Sequence, residues 1–170
     1  GVINLEKCKS LRKLNIIKYP FSDQSVQQLK QLEILTINQP LKLNDLNFVK
    51  GFKNLKNFSV YYARDLNNIS GLEQLKKTLT NLEFDHCSKI SDLSVLPKLT
   101  KLEKIILSNL VPIPTLSWVK SFKKLTMLTF VDTDIVDGNI AYCDGIDFVG
   151  FNNKKKYNRT FEEMNPDWET

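Results

Sequence analysis

Apolar residues fall on a fixed frame along this chain. From Leu79 the frame reads Leu79, Leu82, Phe84, Cys87, Ile90, Leu93, Leu96 and Leu99, and from Leu102 it reads Leu102, Ile105, Leu107, Leu110, Ile113, Leu116, Val119 and Phe122. Both runs fill offsets 0, 3, 5, 8, 11, 14, 17 and 20 of a 23-residue unit. Leu32, Leu35, Ile37, Pro40, Leu43, Leu46, Val49 and Phe52 fill the same slots. The next unit, Leu55, Phe58, Val60, Ala63, Leu66, Ile69, Leu72 and Leu75, adds one residue before Leu79. Leu11, Leu14, Ile16 and Tyr19 open a shorter unit of 21 residues. The chain also begins inside a unit. It opens on Gly1 without a Met, and Val2, Leu5 and Cys8 take the last three slots before Leu11, as in a fragment or a cap built from a partial repeat.

The spacing dictates the elements. Alternation around offsets 3 and 5 is strand periodicity, which turns the two apolar residues to one face and their neighbours to the other. Apolar residues every three positions afterwards suit a 3₁₀-like or short helical return whose inner side meets the same core. One unit cannot bury its own apolar face; stacked units bury a continuous one. The frame therefore predicts strands around Ile16, Ile37, Val60, Phe84, Leu107 and Phe130. It falters after Leu125, Leu128 and Phe130: Val136 fits, Asn139 lands on a core slot, and Cys143, Ile146 and Phe148 form the next strand-like pattern. Residues 131–170 read as a short last repeat and a cap holding Phe151, Tyr157, Phe161 and Trp168, with Thr160 and Glu163 spaced as a capping box. The expected organisation is one domain of 170 residues: a solenoid of six to seven repeats over residues 1–150, the first partial, and a cap over 151–170.

Each unit contains L-x-x-L-x-L, and Lys89-Ile90-Ser91-Asp92-Leu93, followed by Leu96, Leu99 and Leu102, resembles the leucine-rich-repeat family, above all the 22-residue-type repeats of bacterial internalins. The likeness spans roughly residues 2 to 150. It implies an α/β fold, a right-handed solenoid with a parallel concave sheet and short helical or 3₁₀ convex returns, in a bacterial protein that binds another protein on the concave face. The family carries Asn or Cys at offset 8, bonded to neighbouring turns. Here that column is Tyr19, Pro40, Ala63, Cys87, Leu110 and Thr133, and only Cys87 matches.

Composition narrows the function. At 42% hydrophobic the chain is no disordered tail, and no apolar run nears the ~18 residues of a membrane span. The net charge of +5 invites a nucleic-acid reading, but 21 of the 24 basic residues are Lys and only Arg12, Arg64 and Arg159 offer bidentate readout. Lys9, Lys53, Lys76, Lys98, Lys101, Lys120 and Lys123 recur on the returns, forming a basic convex flank that could hold nucleic acid or another anionic surface; this is the alternative to a protein partner. Lys154 to Lys156 read as a solvated turn.

Candidate chemistry is sparse. Cys8, Cys87 and Cys143 sit on offsets 20, 8 and 0, about three repeats apart, too far for a disulfide. Thiols held in the core suit a reducing compartment, the cytoplasm, whereas a place on the bacterial surface would need a removed signal. Asp85-His86-Cys87 offers an acid, a base and a nucleophile on paper, yet adjacent residues do not converge on one point. Asp132, Asp134 and Asp137 precede Gly138 in a calcium-like order, with Cys143 where the closing Glu belongs. No catalytic residue, metal site or cofactor is expected.

The exposed strand positions are offsets 2, 4 and 6. In the central units these are Asn57, Ser59 and Tyr61, then Asn81, Glu83 and Asp85, with Tyr62, Arg64 and His86 on the ascending loops beside them. Asn57, Ser59, Tyr61, Tyr62, Arg64, Glu83, Asp85 and His86 are the candidate partner-binding residues, since Tyr and Arg are favoured interface anchors. The expectation is a monomeric, non-enzymatic protein-binding module; adhesin, scaffold and toxin-immunity roles stay open.

Overall fold

In the computed structural model, which describes residues 5–20 and 25–168, seven parallel strands form one sheet in sequence order. They are β1 (Lys13–Ile17), β2 (Ile34–Asn38), β3 (Asn57–Tyr61), β4 (Asn81–Asp85), β5 (Lys104–Ser108), β6 (Met127–Thr129) and β7 (Phe148–Gly150). Val2, the first residue of the partial unit, lies outside the described residues. Register follows the repeat residue for residue, so Leu35, Phe58, Leu82, Ile105, Leu128 and Val149 form one ladder across the sheet. The extra residue before Leu79 is absorbed in the return and leaves the pairing of β3 with β4 unshifted.

Short 3₁₀ segments make the returns, among them Asn47–Gly51, Ser70–Leu75, Leu96–Lys98 and Ser117–Ser121. Each is opened by a side chain at offset 13 or its equivalent. Asp45, Asn68, Asp92 and Thr115 accept the backbone N–H two residues on at 2.7–3.1 Å, a local bond that turns the chain out of the extended state. Successive returns press together so closely at Gly71 that a Cβ there would collide with the Leu46 carbonyl. Between sheet and returns lies one core in which Leu32, Leu35, Ile37, Phe58, Val60, Leu79 and Phe84 are fully buried. Burial of each such side chain contributes roughly 1.5–3 kcal/mol.

The last unit departs from the predicted frame. Val136 is 57% exposed and Ile135 is buried in its place, because the loop after Thr133 is one residue shorter. Cys143 opens no strand; it closes the return Ile140–Cys143. The strand frame is Ile146, Val149 and Phe151, which shifts Phe148 to the outer face and puts Phe151 in the core, stacked on Phe130 with centroids 5.1 Å apart. The chain beyond β7 folds back over the end of the stack. Thr160 and Glu163 form the predicted capping box on a one-turn helix, α1 (Phe161–Met164). Asn165, 6% exposed, accepts the Val149 N–H at 2.8 Å and donates to the Val149 carbonyl at 2.9 Å. Its carboxamide thus pairs with β7 as a further strand would.

Candidate functional site

Two sets of polar side chains meet on the outer face of β3 and β4. Glu83 sits opposite Ser59 in the register, and its carboxylate accepts the Tyr61 hydroxyl at 2.6 Å and the Ser59 hydroxyl at 3.1 Å. Partial burial first, then the Glu83 hydrogen bond and charge, push the Tyr61 phenol up to about 12. One step along the strands, Asp85 is held by His86 Nδ1 at 2.8 Å and by the Asn109 amide at 2.9 Å. Both carboxylates are fixed by neighbours and remain partly exposed, with no lysine or arginine within 4 Å of either among the described residues. A hollow of about 180 Å³ beside them is lined by Asn57, Ser59, Asn81, Glu83 and Lys104.

Beyond each strand the backbone makes the same turn. Lys18, Gln39, Tyr62, His86, Asn109 and Asp132, all at offset 7, have φ between 50° and 55°. This left-handed region is uncommon for residues other than Gly, Asn or Asp and costs roughly 1–2 kcal/mol. The geometry is imposed by the sheet. From Lys18 to Asn109 each of these N–H groups donates to a backbone carbonyl at or just beyond the end of the next strand, at 2.9–3.2 Å, and the Asp132 N–H donates to the Asn152 side chain at 2.8 Å. The result is a ridge of side chains one strand spacing apart, along which Tyr62 stacks on His86 with centroids 4.5 Å apart.

The structure divides the predicted set. Asn57, Ser59, Tyr61, Glu83, Asp85 and His86 gather around the two carboxylates, whereas Arg64 makes no ion pair with either and lines a separate cleft with Tyr62. Asn109, absent from the predicted set, orients Asp85; its place one unit after His86 at the same offset was the available signal.

The remaining candidates are engaged elsewhere. Cys87 is buried, its thiol lies 3.5 Å from the Val60 and Asp85 carbonyls, and burial pushes it up to about 11, so the nucleophile beside His86 faces the core as a protonated thiol. Thr133 does what Asn or Cys does at offset 8, donating to the Leu107 carbonyl at 2.8 Å and accepting the Leu110 N–H at 3.0 Å. That corrects the count of one matching residue. Lys154 and Lys156 are more than a solvated turn: both clamp Asp134, at 3.0 and 2.7 Å, and these bonds pull its carboxyl down to about 2. Asp137 caps the following turn through the Asn139 N–H at 3.1 Å. On the convex side Lys98 is tied to Glu73 at 2.8 Å, and Lys120 lies over the Tyr142 ring at 4.9 Å.

No family model and no curated protein sequence matches the chain. Solved structures do. Internalin C2 from Listeria monocytogenes superimposes with a TM-score of 0.59 at 18% identity, over 87% of this chain and 74% of that one. Internalin F from the same organism gives 0.59 at 20% identity, over 88% of this chain and 50% of that one. The chain has the leucine-rich-repeat fold of the internalins. A plant peptide hormone receptor, RGFR1, solved in complex with RGF2, gives 0.53 at 14% identity over 75% of this chain and 22% of that one. Within the leucine-rich-repeat frame, the carboxylate cluster occupies the outer face of the sheet and the ridge its ascending edge. Among the described residues no helix is long and apolar enough to cross a membrane.

Proposed function

We propose that this leucine-rich-repeat solenoid is a monomeric, non-enzymatic protein-binding module whose partner seats on the open sheet face around Tyr61, Glu83 and Asp85. The observation that carries the reading is the pair of carboxylates, each fixed by two neighbouring side chains and without a cation. Groups already held in place lose little freedom on binding, so a basic side chain of a partner meets a prepared acceptor. Tyr61 adds a rigid aromatic anchor one strand spacing from Asp85. The buried, protonated Cys87 supports the non-enzymatic reading, because Asp85 and His86 then have no nucleophile to activate. Binding of nucleic acid on the lysine flank gains less support, since Lys98 is already paired with Glu73.

Photo-crosslinking in the source cells tests this. A benzophenone amino acid at Tyr61 should capture a protein, and Glu83→Gln with Asp85→Asn, which keeps shape and removes charge, should weaken the captured complex at least tenfold while the same probe at Lys120 captures nothing. Crosslinks from Lys120 alone, or to nucleic acid, would place the partner on the other side.

A further inference from the structure

Beside the ridge, outside the sheet face, a cleft of about 600 Å³ opens between the loops that follow β1, β2 and β3. Its apolar part comes from Pro40, Leu41 and Tyr62, its charged part from Lys18, Lys42 and Arg64. Leu41 and Tyr62 are 50% and 43% exposed, two of only five large apolar side chains left that open among the described residues. Leu41 stands at offset 9, off every core slot, so the repeat has no use for it. Apolar side chains that converge on one concavity, rather than scatter, mark a surface that is covered in use.

The charges say by what. Lys18, Lys42 and Arg64 have no ion-pair partner among the described residues, and the one carboxylate in the lining, Asp65, is taken by Lys89 at 3.2 Å. Three cations around an apolar lining complement a chain segment that carries carboxylates on both sides of an apolar side chain. They repel a basic segment, the kind of surface that the carboxylates of the sheet face accept. Guanidinium and ammonium groups at the rim of a cleft set specificity and rate, and the buried apolar side chain supplies most of the affinity.

We propose that this cleft is a second protein-binding site that takes an acidic segment of a partner with a Leu or Phe side chain inserted against Leu41 and Tyr62. It does not depend on the sheet-face reading, because none of its cations belongs to that cluster.

The probe is an end-capped hexapeptide with a central Leu-Phe pair flanked on each side by two acidic residues, titrated into ¹⁵N-labelled protein. Amide shifts should appear at residues 18, 39–42 and 62–65 and saturate by millimolar peptide. Lys18→Gln with Arg64→Gln should weaken binding at least tenfold; glutamine is a safe replacement because Gln39 already holds the same left-handed backbone at the same offset. Replacing the peptide's Leu-Phe pair by Gly-Gly should cost at least as much, and Leu41→Ser should reproduce that loss. No shifts at the cleft, equal binding of an all-aspartate peptide, or tighter occupation of the same residues by single-stranded RNA or anionic vesicles would each overturn the proposal. Shifts at Ser59, Glu83 and Asp85 alone would overturn it while leaving the sheet-face site standing.

Discussion

At the scale of single residues, two side chains show how a repeat column can keep its role while changing its chemistry. Thr133 bridges two loops through one buried hydroxyl, donating to Leu107 and accepting from Leu110. Thr133→Val, nearly the same shape, leaves a buried carbonyl and a buried N–H without partners, a loss of about 1–3 kcal/mol in denaturant unfolding; Thr133→Ser should lose clearly less. Cys87 and Cys143 are fully buried, and burial pushes their thiols up to about 11 and about 12. Folding therefore favours the protonated thiols. Their contribution to stability is complete below the ordinary thiol value near 9 and is lost as pH climbs through 11 to 12. At pH 8 a thiol reagent should label at most half-buried Cys8 in the native protein and all three cysteines after unfolding; rapid native labelling of Cys87 would show that its side chain does not face the core.

Among the elements, strands and returns were not equally legible. Strand positions follow from two apolar residues spaced by two, and that signal survives in every unit because the residues are buried on one face. The left-handed turn after each strand left no such trace, since its column holds Lys, Gln, Tyr, His, Asn and Asp, and the conformation comes from pairing with the next strand rather than from the side chain. The same blindness hid the division of the candidate site. Tyr61 and Tyr62 are adjacent in sequence, but the turn between them sends one to the sheet face and the other to the ridge. The last unit was misread because one residue is missing from its loop, and a period of 23 cannot show where a deletion falls. Returns are held by local caps and close packing. Gly71→Ala drives a methyl group into the Leu46 carbonyl, which is backbone and cannot rotate away. Thermal or chemical unfolding should register a loss of about 1–3 kcal/mol, whereas alanine at Gly51, where the nearest atom is the end of the Lys30 side chain, should cost less.

For the whole molecule, charge and edges matter most. Carboxylates on the sheet face and unpaired cations around the cleft give a small protein two surfaces of opposite preference, though its net charge of +5 alone would have suggested one basic surface. The C-terminal edge of the sheet is closed by Asn165, whose carboxamide takes both outward-facing groups of Val149. Asn165→Ala should lower stability by more than about 2 kcal/mol and, with β7 again offering a strand edge, should make sedimentation concentration-dependent; a variant that stays fully stable and monomeric would show that water serves the edge equally well. A stack of identical layers is in effect a one-dimensional crystal, and each finished layer is a template for the next. Asn165 behaves like a growth poison on that crystal: it binds the terminal face with the contacts of an incoming layer but presents no lattice of its own, so length is set by a single carboxamide and not by the repeats.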